Sequence, residues 1–147
     1  MKTTGIVISI ALLACAAIAA EKPVKMKDLP APVQKAVQEQ IKDAQLKGLS
    51  RETENGKVFY EAETMVNGKS RDILMDANGA VVEVEEETTL DNVPAPVKAT
   101  LEKSAQRAKI LKVETVTKGS VVSYEAVVSK NGKKTEVAVA ADGTLKK

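Results

Sequence analysis

The chain has 147 residues, no histidine, one cysteine and a formal net charge of +2. This length allows one ordinary domain or two very small ones. Histidine is the side chain best suited to proton transfer near neutral pH, so its absence argues against an enzyme. We expect no catalytic residues and no cofactor, and the small net charge argues against a general nucleic-acid binder.

The N-terminal residues 1–20 predict a removable signal peptide. Lys2 supplies a positive n-region, Ile6 to Ala14 an apolar h-region, and Ala17-Ile18-Ala19 a small-residue cleavage site. A lipoprotein is the alternative, because Leu12-Leu13-Ala14-Cys15 resembles a lipobox in which the cysteine is lipidated. In both cases we expect an exported protein of the periplasm or cell envelope. Contact with a membrane is then limited to the signal peptide or a lipid anchor at Cys15.

One unit occurs twice, at an offset of 64 residues. Leu29 to Glu83 aligns without gaps with Val93 to Lys147. The identical pairs include Pro30/Pro94, Val33/Val97, Tyr60/Tyr124, Glu61/Glu125, Asn67/Asn131 and Gly79/Gly143. Two copies are too few for a solenoid, so we predict a tandem repeat. The predicted segments are a polar leader at 21–28, unit 1 at 29–84, a connector at 85–92 and unit 2 at 93–147.

Each unit is predicted to begin with a helix and to continue in strands. Pro30 suits the start of a helix, Val33, Val37 and Ile41 follow at helical spacing, and Gly48 is a plausible stop. The predicted fold is α+β. It consists of two tandem units, each with one helix packed on a three- to four-stranded antiparallel sheet.

The Asn-Gly pairs at 67–68 and 131–132 predict tight hairpin turns, because a type I′ turn needs positive φ at both central residues. The first turn would place Tyr60 opposite Met75. One face of each sheet is apolar and should pack on the helix, which leaves the opposite face for a partner. The candidate partner-binding residues on that face are Phe59, Glu61, Glu63, Met65, Asp72, Leu74, Val121, Glu125 and Val127.

Acidic residues on the same face raise the question of a cation site. Glu61, Glu63, Asp72 and Asp76 are weak candidates, since hard cations such as Ca²⁺ take oxygen ligands. A solvated acidic face with an ordinary turn at Asp76 explains them equally, so we predict no metal site.

Charge is distributed unevenly along the chain. Residues 29–92 carry 7 Lys/Arg and 13 Asp/Glu, a balance of −6, whereas residues 93–147 carry 11 and 5, a balance of +6. One hypothesis is that the acidic and basic units dock electrostatically, within the chain or between chains.

The pattern of a helix, Tyr-Glu-Ala before Gly-Lys, and Asp-Ala-Asn-Gly resembles PepSY and PepSY-like domains, including the β-lactamase-inhibitor-protein group. The resemblance covers residues 29–147. It implies an exported, non-enzymatic binding module, and it associates the chain with peptidase binding or inhibition. The chain departs from the β-lactamase inhibitor in having few aromatic residues. We expect a protein or peptide partner in the bacterial envelope, bound by the exposed sheet face or an edge strand. The alternative is a cation-responsive or structural envelope protein.

Overall fold

The computed structural model describes residues 21–146. The predicted signal peptide, with Cys15 and its proposed lipid, lies outside the described residues. The strands are β1 (Lys22–Pro23), β2 (Gln45–Glu54), β3 (Lys57–Val66), β4 (Lys69–Asp76), β5 (Val81–Thr88), β6 (Lys109–Lys118), β7 (Val121–Lys130) and β8 (Lys133–Ala140). The helices are α1 (Ala31–Gln40) and α2 (Ala95–Ala105), with a 3-10 turn at Met26–Asp28. Within the described range, neither helix has the length and apolar content needed to cross a membrane.

All eight strands form one antiparallel sheet, in chain order from β1 to β8. The two halves are joined by β5 and β6, which pair from Val84 opposite Thr117 to Thr88 opposite Val113. The predicted α+β fold of two tandem units, each with one helix on a three- to four-stranded sheet, was therefore wrong, because the strands form a single eight-stranded sheet. Glu85 to Thr88 were predicted to lie in a connector, but they extend β5. Pairing satisfies backbone groups of β5 and β6 that two separate sheets would have left as exposed edges.

The hairpin turns agree with the sequence prediction. Asn67 and Gly68 have φ of 51° and 81°, and Asn131 and Gly132 have φ of 52° and 78°. The predicted register is also confirmed, because Tyr60 lies opposite Met75. These turns set which side chains of β3, β4, β7 and β8 share a face.

Both helices pack on one face of the sheet, where each covers its own apolar cluster. In the first cluster Val33 and Val37 of α1 are fully buried with Ile73 and Met75 of the sheet. The second cluster is built from Val93, Val97, Leu101, Val113, Ala126 and Val139. Tyr60 and Tyr124 pack against these clusters from the sheet. The apolar stripes predicted from helical spacing therefore form the core.

Helix α1 ends before the last apolar residue predicted for it, and Gly48 does not terminate the helix. The helix ends at Gln40, and Gly48 lies within β2 beside a bulge. A Cβ at Gly48 would meet the Glu63 carboxyl at 3.1–3.2 Å. Glycine therefore makes room for the Glu63 side chain on the neighbouring strand, which is a packing role and not a helix C-cap.

Both edges of the sheet are partly covered. At one edge β1 pairs with Ser50 and Arg51 of β2, and the Val24 amide donates to the Leu49 carbonyl. At the other edge Leu145 bridges to Val139, and the Lys146 amide donates to the Ala138 carbonyl. Among residues 21–146, no segment pairs with the outer side of β8 from Lys133 to Glu136.

A glycine turn holds the start of each helix against the sheet. Gly79 has φ of +80°, and a Cβ there would lie 2.5 Å from the Pro32 carbonyl oxygen. Gly143 occupies the matching position, where a Cβ would lie 2.7 Å from the Pro96 side chain. The Asp76 carboxylate stabilises the first turn by accepting from the Asn78 and Ala80 amides at 2.8 and 3.0 Å.

We predict that Gly79→Ala destabilises the protein more than Gly56→Ala. Both glycines have positive φ, so alanine costs each about 1–2 kcal/mol of backbone strain. Only Gly79 adds a backbone clash, because nothing lies within 4 Å of a Cβ at Gly56. Urea unfolding should therefore show an additional loss of about 1–3 kcal/mol for Gly79→Ala, the usual range for overpacking. Equal losses in the two variants would contradict the close approach of the turn to α1.

Candidate partner-binding face

The sheet face opposite the helices, called the acidic face below, is covered by no element of the described chain. Strand alternation and the observed pairing define its side chains. Its acidic residues are Glu52, Glu54, Glu61, Glu63, Asp72, Asp76, Glu83, Glu85, Glu87, Glu114, Glu125 and Glu136. Its lysines are Lys57, Lys109, Lys112, Lys118, Lys134 and Lys146. The first half supplies nine of the twelve acidic residues and one of the lysines, so the negative charge of the face is concentrated on β2 to β5.

The sequence-predicted binding residues all lie on the acidic face, in two groups. On β3 and β4, Glu61 lies opposite Leu74 and Glu63 lies opposite Asp72; Phe59 and Met65 continue this group along β3. The second group is Val121, Glu125 and Val127 on β7. Strands β5 and β6 lie between the two groups.

The residues that connect these groups were missed by the sequence analysis. Glu83 and Glu85 lie on β5, and Lys112, Glu114 and Lys118 lie on β6. Both segments alternate charged and apolar residues, and this alternation indicates one charged face on each strand. It does not indicate a shared site, because the sequence does not show that the two strands are neighbours.

The acidic face is concave at β5, β6 and β7. Residues of these three strands, among them Glu83, Lys118 and Glu125, line a groove on the face. Charge interactions on the face reach further, because Lys118 on β6 interacts electrostatically with Glu52 and Glu54 on β2.

Five carboxyl groups form a row across the middle of this face, one on each strand from β3 to β7. The carboxyl row consists of Glu63, Asp72, Glu85, Glu114 and Glu125. Glu63 faces Asp72, Asp72 faces Glu85, and Glu114 faces Glu125. Like charges in directly opposed positions destabilise a sheet.

Protonation relieves this repulsion. Burial, followed by repulsion from Glu114 and its neighbours, raises the pKa of Glu85 to about 9. Burial also raises the pKa of Asp72 to about 6, against the attraction of Lys112. Glu85 is consequently a neutral carboxylic acid at pH 7, and it can donate a hydrogen bond.

A second carboxyl pair lies at the β7–β8 end of the row. Burial and a hydrogen bond with Glu125 raise the pKa of Glu136 to about 8. A hydrogen bond between two carboxyl groups requires a proton, which the raised pKa assigns to Glu136. Among the described residues, no group donates a hydrogen bond to the buried Oε2 of Glu136. The face therefore has a buried hydrogen-bond acceptor, Oε2 of Glu136, to which no side chain of the described residues donates.

Two lysines offset part of the negative charge. Lys112 Nζ lies 2.5 Å from Glu114, and Lys118 Nζ lies 2.7 Å from Glu83. The second pair joins the basic half to the acidic half across the β5–β6 junction. Lys118 also lines a groove of about 190 Å³ with Val121 and Lys146. This groove gives the concave face a local recess with an apolar wall.

The proposed cation candidates do not come together as a set. Asp72 meets Glu85 and Glu114, with carboxyl oxygens within 4.8 Å of one another. Asp76 instead accepts hydrogen bonds from its own turn. Three carboxyl oxygens supply only part of the six to eight ligands that Ca²⁺ takes. The Lys112 ammonium beside Glu114 adds a positive charge that opposes cation binding.

Solved structures of similar fold come from Bacteroides species. A proposed periplasmic protein from Bacteroides eggerthii has a TM-score of 0.66 at 19% identity, with 81% of this chain and 86% of that chain covered. A DUF2874 family protein from Bacteroides ovatus has a TM-score of 0.62 at 18% identity, covering 81% and 85%. A BLIP-like protein from Bacteroides fragilis has a TM-score of 0.57 at 20% identity, covering 81% and 84%.

These likenesses establish a BLIP-like fold, in agreement with the β-lactamase-inhibitor-protein part of the resemblance. No family model and no curated protein sequence matches the chain. Membership of the PepSY-like family and the tandem-repeat interpretation therefore stay predictions.

We predict that the protein loses stability as pH rises from about 5 to 9. Glu85 ionises near pH 4.5 when unfolded and near 9 when folded, so the folded state holds an extra proton between these values. The contribution of this proton to the free energy of unfolding is fully present below pH 4.5 and is lost above pH 9. Glu85→Gln is neutral at every pH. It should match the wild type at pH 5 and exceed its unfolding free energy at pH 9 by more than about 1.4 kcal/mol, the equivalent of one pKa unit.

Urea unfolding at pH 5, 7 and 9 measures this difference. Glu102→Gln on the exposed side of α2 is the matched control and should leave the pH slope unchanged. Identical slopes for wild type and Glu85→Gln would show that Glu85 is ionised in the folded protein at neutral pH.

Proposed function

We propose that this chain is an exported, non-catalytic binding module whose acidic face holds a protein or peptide partner in the bacterial cell envelope. The observation that carries the proposal is the acidic face itself, a sheet surface with a groove at β5 to β7 that no element of residues 21–146 covers. A chain without histidine has little means of acid–base catalysis, which favours binding over turnover.

Burial on this face favours binding as well. Glu61, Asp72 and Glu114 are only 4–6% exposed although they lie on the face opposite the helices. Desolvating carboxyl groups costs free energy unless they are paired or protonated, and solubility alone does not require it. A binding surface gains from such groups, because carboxyl groups that are already desolvated lose less water when a partner binds.

Location and partner class draw support from the similar structures. The Bacteroides eggerthii protein is a proposed periplasmic protein, and the Bacteroides fragilis protein is BLIP-like. Both descriptions fit the signal peptide expected at residues 1–20. Peptidase inhibition is a more specific form of the same proposal, and it rests on the PepSY-like resemblance alone.

The sheet face is a better candidate than an edge strand. Pairing by strand addition needs a free run of backbone groups. Both edges are partly covered, so among the described residues only short runs stay open: Lys133–Glu136 on β8, and the two ends of β2 on either side of Leu49 to Arg51. A cation-responsive protein has less support, because Asp72, Glu85 and Glu114 form an incomplete ligand set beside Lys112.

Site-specific photocrosslinking tests which face is used. Val121 and Val122 are adjacent, exposed by 64% and 37%, and directed to opposite sheet faces. A photoreactive phenylalanine at Val121 should crosslink a partner in cells that produce the protein, and the same residue at Val122 should not. Mass spectrometry of the crosslinked product identifies the partner and its contact segment. Crosslinks through Val122 alone, through both positions equally, or through neither would contradict binding by the acidic face.

A further inference from the structure

We propose that the occupant of the acidic face is an extended cationic segment of a partner protein, whose arginine or lysine groups pair with the carboxyl row. This inference rests on the proposed function and adds the chemistry of the partner. It follows from the charge, the geometry and the proton content of the face.

Charge complementarity is the first argument. Carboxyl groups of the acidic face outnumber its lysines, and the two best-placed lysines are already engaged with Glu114 and Glu83. The negative potential of the row is therefore only partly neutralised from within the chain. A concave surface lined by one sign of charge concentrates the field and attracts ligands of opposite sign.

The spacing of the row is the second argument. The row from Glu63 on β3 to Glu125 on β7 crosses four strand spacings, about 19 Å. An extended peptide of roughly six residues covers that distance. Alternate side chains of such a peptide point to the same side, so three basic groups would face the row.

Apolar neighbours suit the stems of these basic side chains. Leu74 and Phe59 lie beside the row on β4 and β3, and Val116 and Val127 lie beside it on β6 and β7. Arginine and lysine bury their methylene groups on apolar surface while the charged ends contact carboxylates. Arginine is the better match because its planar group binds a carboxylate through two hydrogen bonds.

The proton content of the carboxyl row is the third argument, because a cationic group can replace the protons that now neutralise its carboxyl groups. The groups facing Glu85 are Asp72 from β4, Glu83 from its own strand, Glu114 from β6 and Glu125 from β7. Lys112 of β6 is the nearby positive charge, paired with Glu114. A guanidinium group placed among these carboxyls stabilises their ionised forms, so the protons leave. Binding should therefore release protons and strengthen as pH rises.

Calorimetric titration of the purified protein tests this coupling. The probe is a hexapeptide of alternating arginine and serine, and its control carries citrulline, a neutral isostere, in place of arginine. At pH 7.5 we expect binding of the arginine peptide with proton release, measured as a difference in heat between phosphate and Tris buffers. The affinity should fall at least tenfold at pH 5.5, and the citrulline peptide should not bind.

Variants locate the effect. Glu85→Gln should reduce proton release and weaken binding of the arginine peptide, whereas Glu102→Gln on α2 should change neither. The neutral amide in Glu85→Gln imitates the protonated acid, so we expect this variant to fold. Circular dichroism checks that it does. Equal binding of the two peptides, absence of proton release, or unchanged binding by Glu85→Gln would overturn the proposal.

The crosslinking experiment separates the two levels of inference. A partner that crosslinks through Val121 by a segment without basic residues overturns the cationic assignment and leaves the proposed function standing. A crosslink from Val121 to a second copy of this chain, with a dimer in sedimentation, also overturns it. Failure of both the peptide titration and the Val121 crosslink overturns both proposals.

Discussion

Backbone pairing of β5 with β6 is the constraint on which the rest of the structure depends. Without it, Val81–Thr88 and Lys109–Lys118 would each be a sheet edge, and each half would have its own small face. The pairing places Glu85 and Glu114 on neighbouring strands and gathers the carboxyl groups of both halves on one continuous sheet face. The apolar clusters under α1 and α2 remain separate, so the junction is made by the sheet and not by a shared core.

Electrostatics on the acidic face then follow from burial. In water, opposed carboxylates such as Glu63 and Asp72 would repel weakly, because solvent screens them. Here several of these groups are largely buried, and the sheet keeps them close together. The chain accommodates this arrangement partly with Lys112 and Lys118 and partly by retaining protons on Glu85 and Glu136. Proton content and ligand chemistry are therefore two aspects of one surface.

Local features of the fold were predictable from sequence, and long-range ones were not. The Asn-Gly turns determined the register of two hairpins, since a two-residue turn leaves no freedom in pairing. The apolar stripe through Val33 and Val37 identified the core. The pairing of β5 with β6 could not be inferred, because no local pattern in Glu85 to Thr88 indicates which strand this segment pairs with. The three consecutive glutamates there also resemble a solvated linker.

The residues of the candidate site were also predictable where they depend on local register, and unpredictable where they depend on the pairing of β5 with β6. All nine predicted residues lie on the acidic face, because side-chain alternation follows directly from hairpin register. The residues between them on β5 and β6 were missed, since their position depends on the junction. Counting charge by chain half did not show which sheet face carries it. The sheet distributes side chains by alternation, so Glu114, Glu125 and Glu136 of the basic half join the acidic surface.

The partly covered edges have a consequence for the behaviour of the protein at high concentration. A long, flat, open edge strand acts as a template for polymerisation into fibrils. Here Lys22–Pro23 divide the outer side of β2 into two short open runs, the bridge at Leu145 covers part of β8, and the open run of β8 begins with Lys133 and Lys134. Two adjacent ammonium groups repel a second identical strand. We therefore expect the protein to stay dispersed at high concentration, with its broad acidic surface still available.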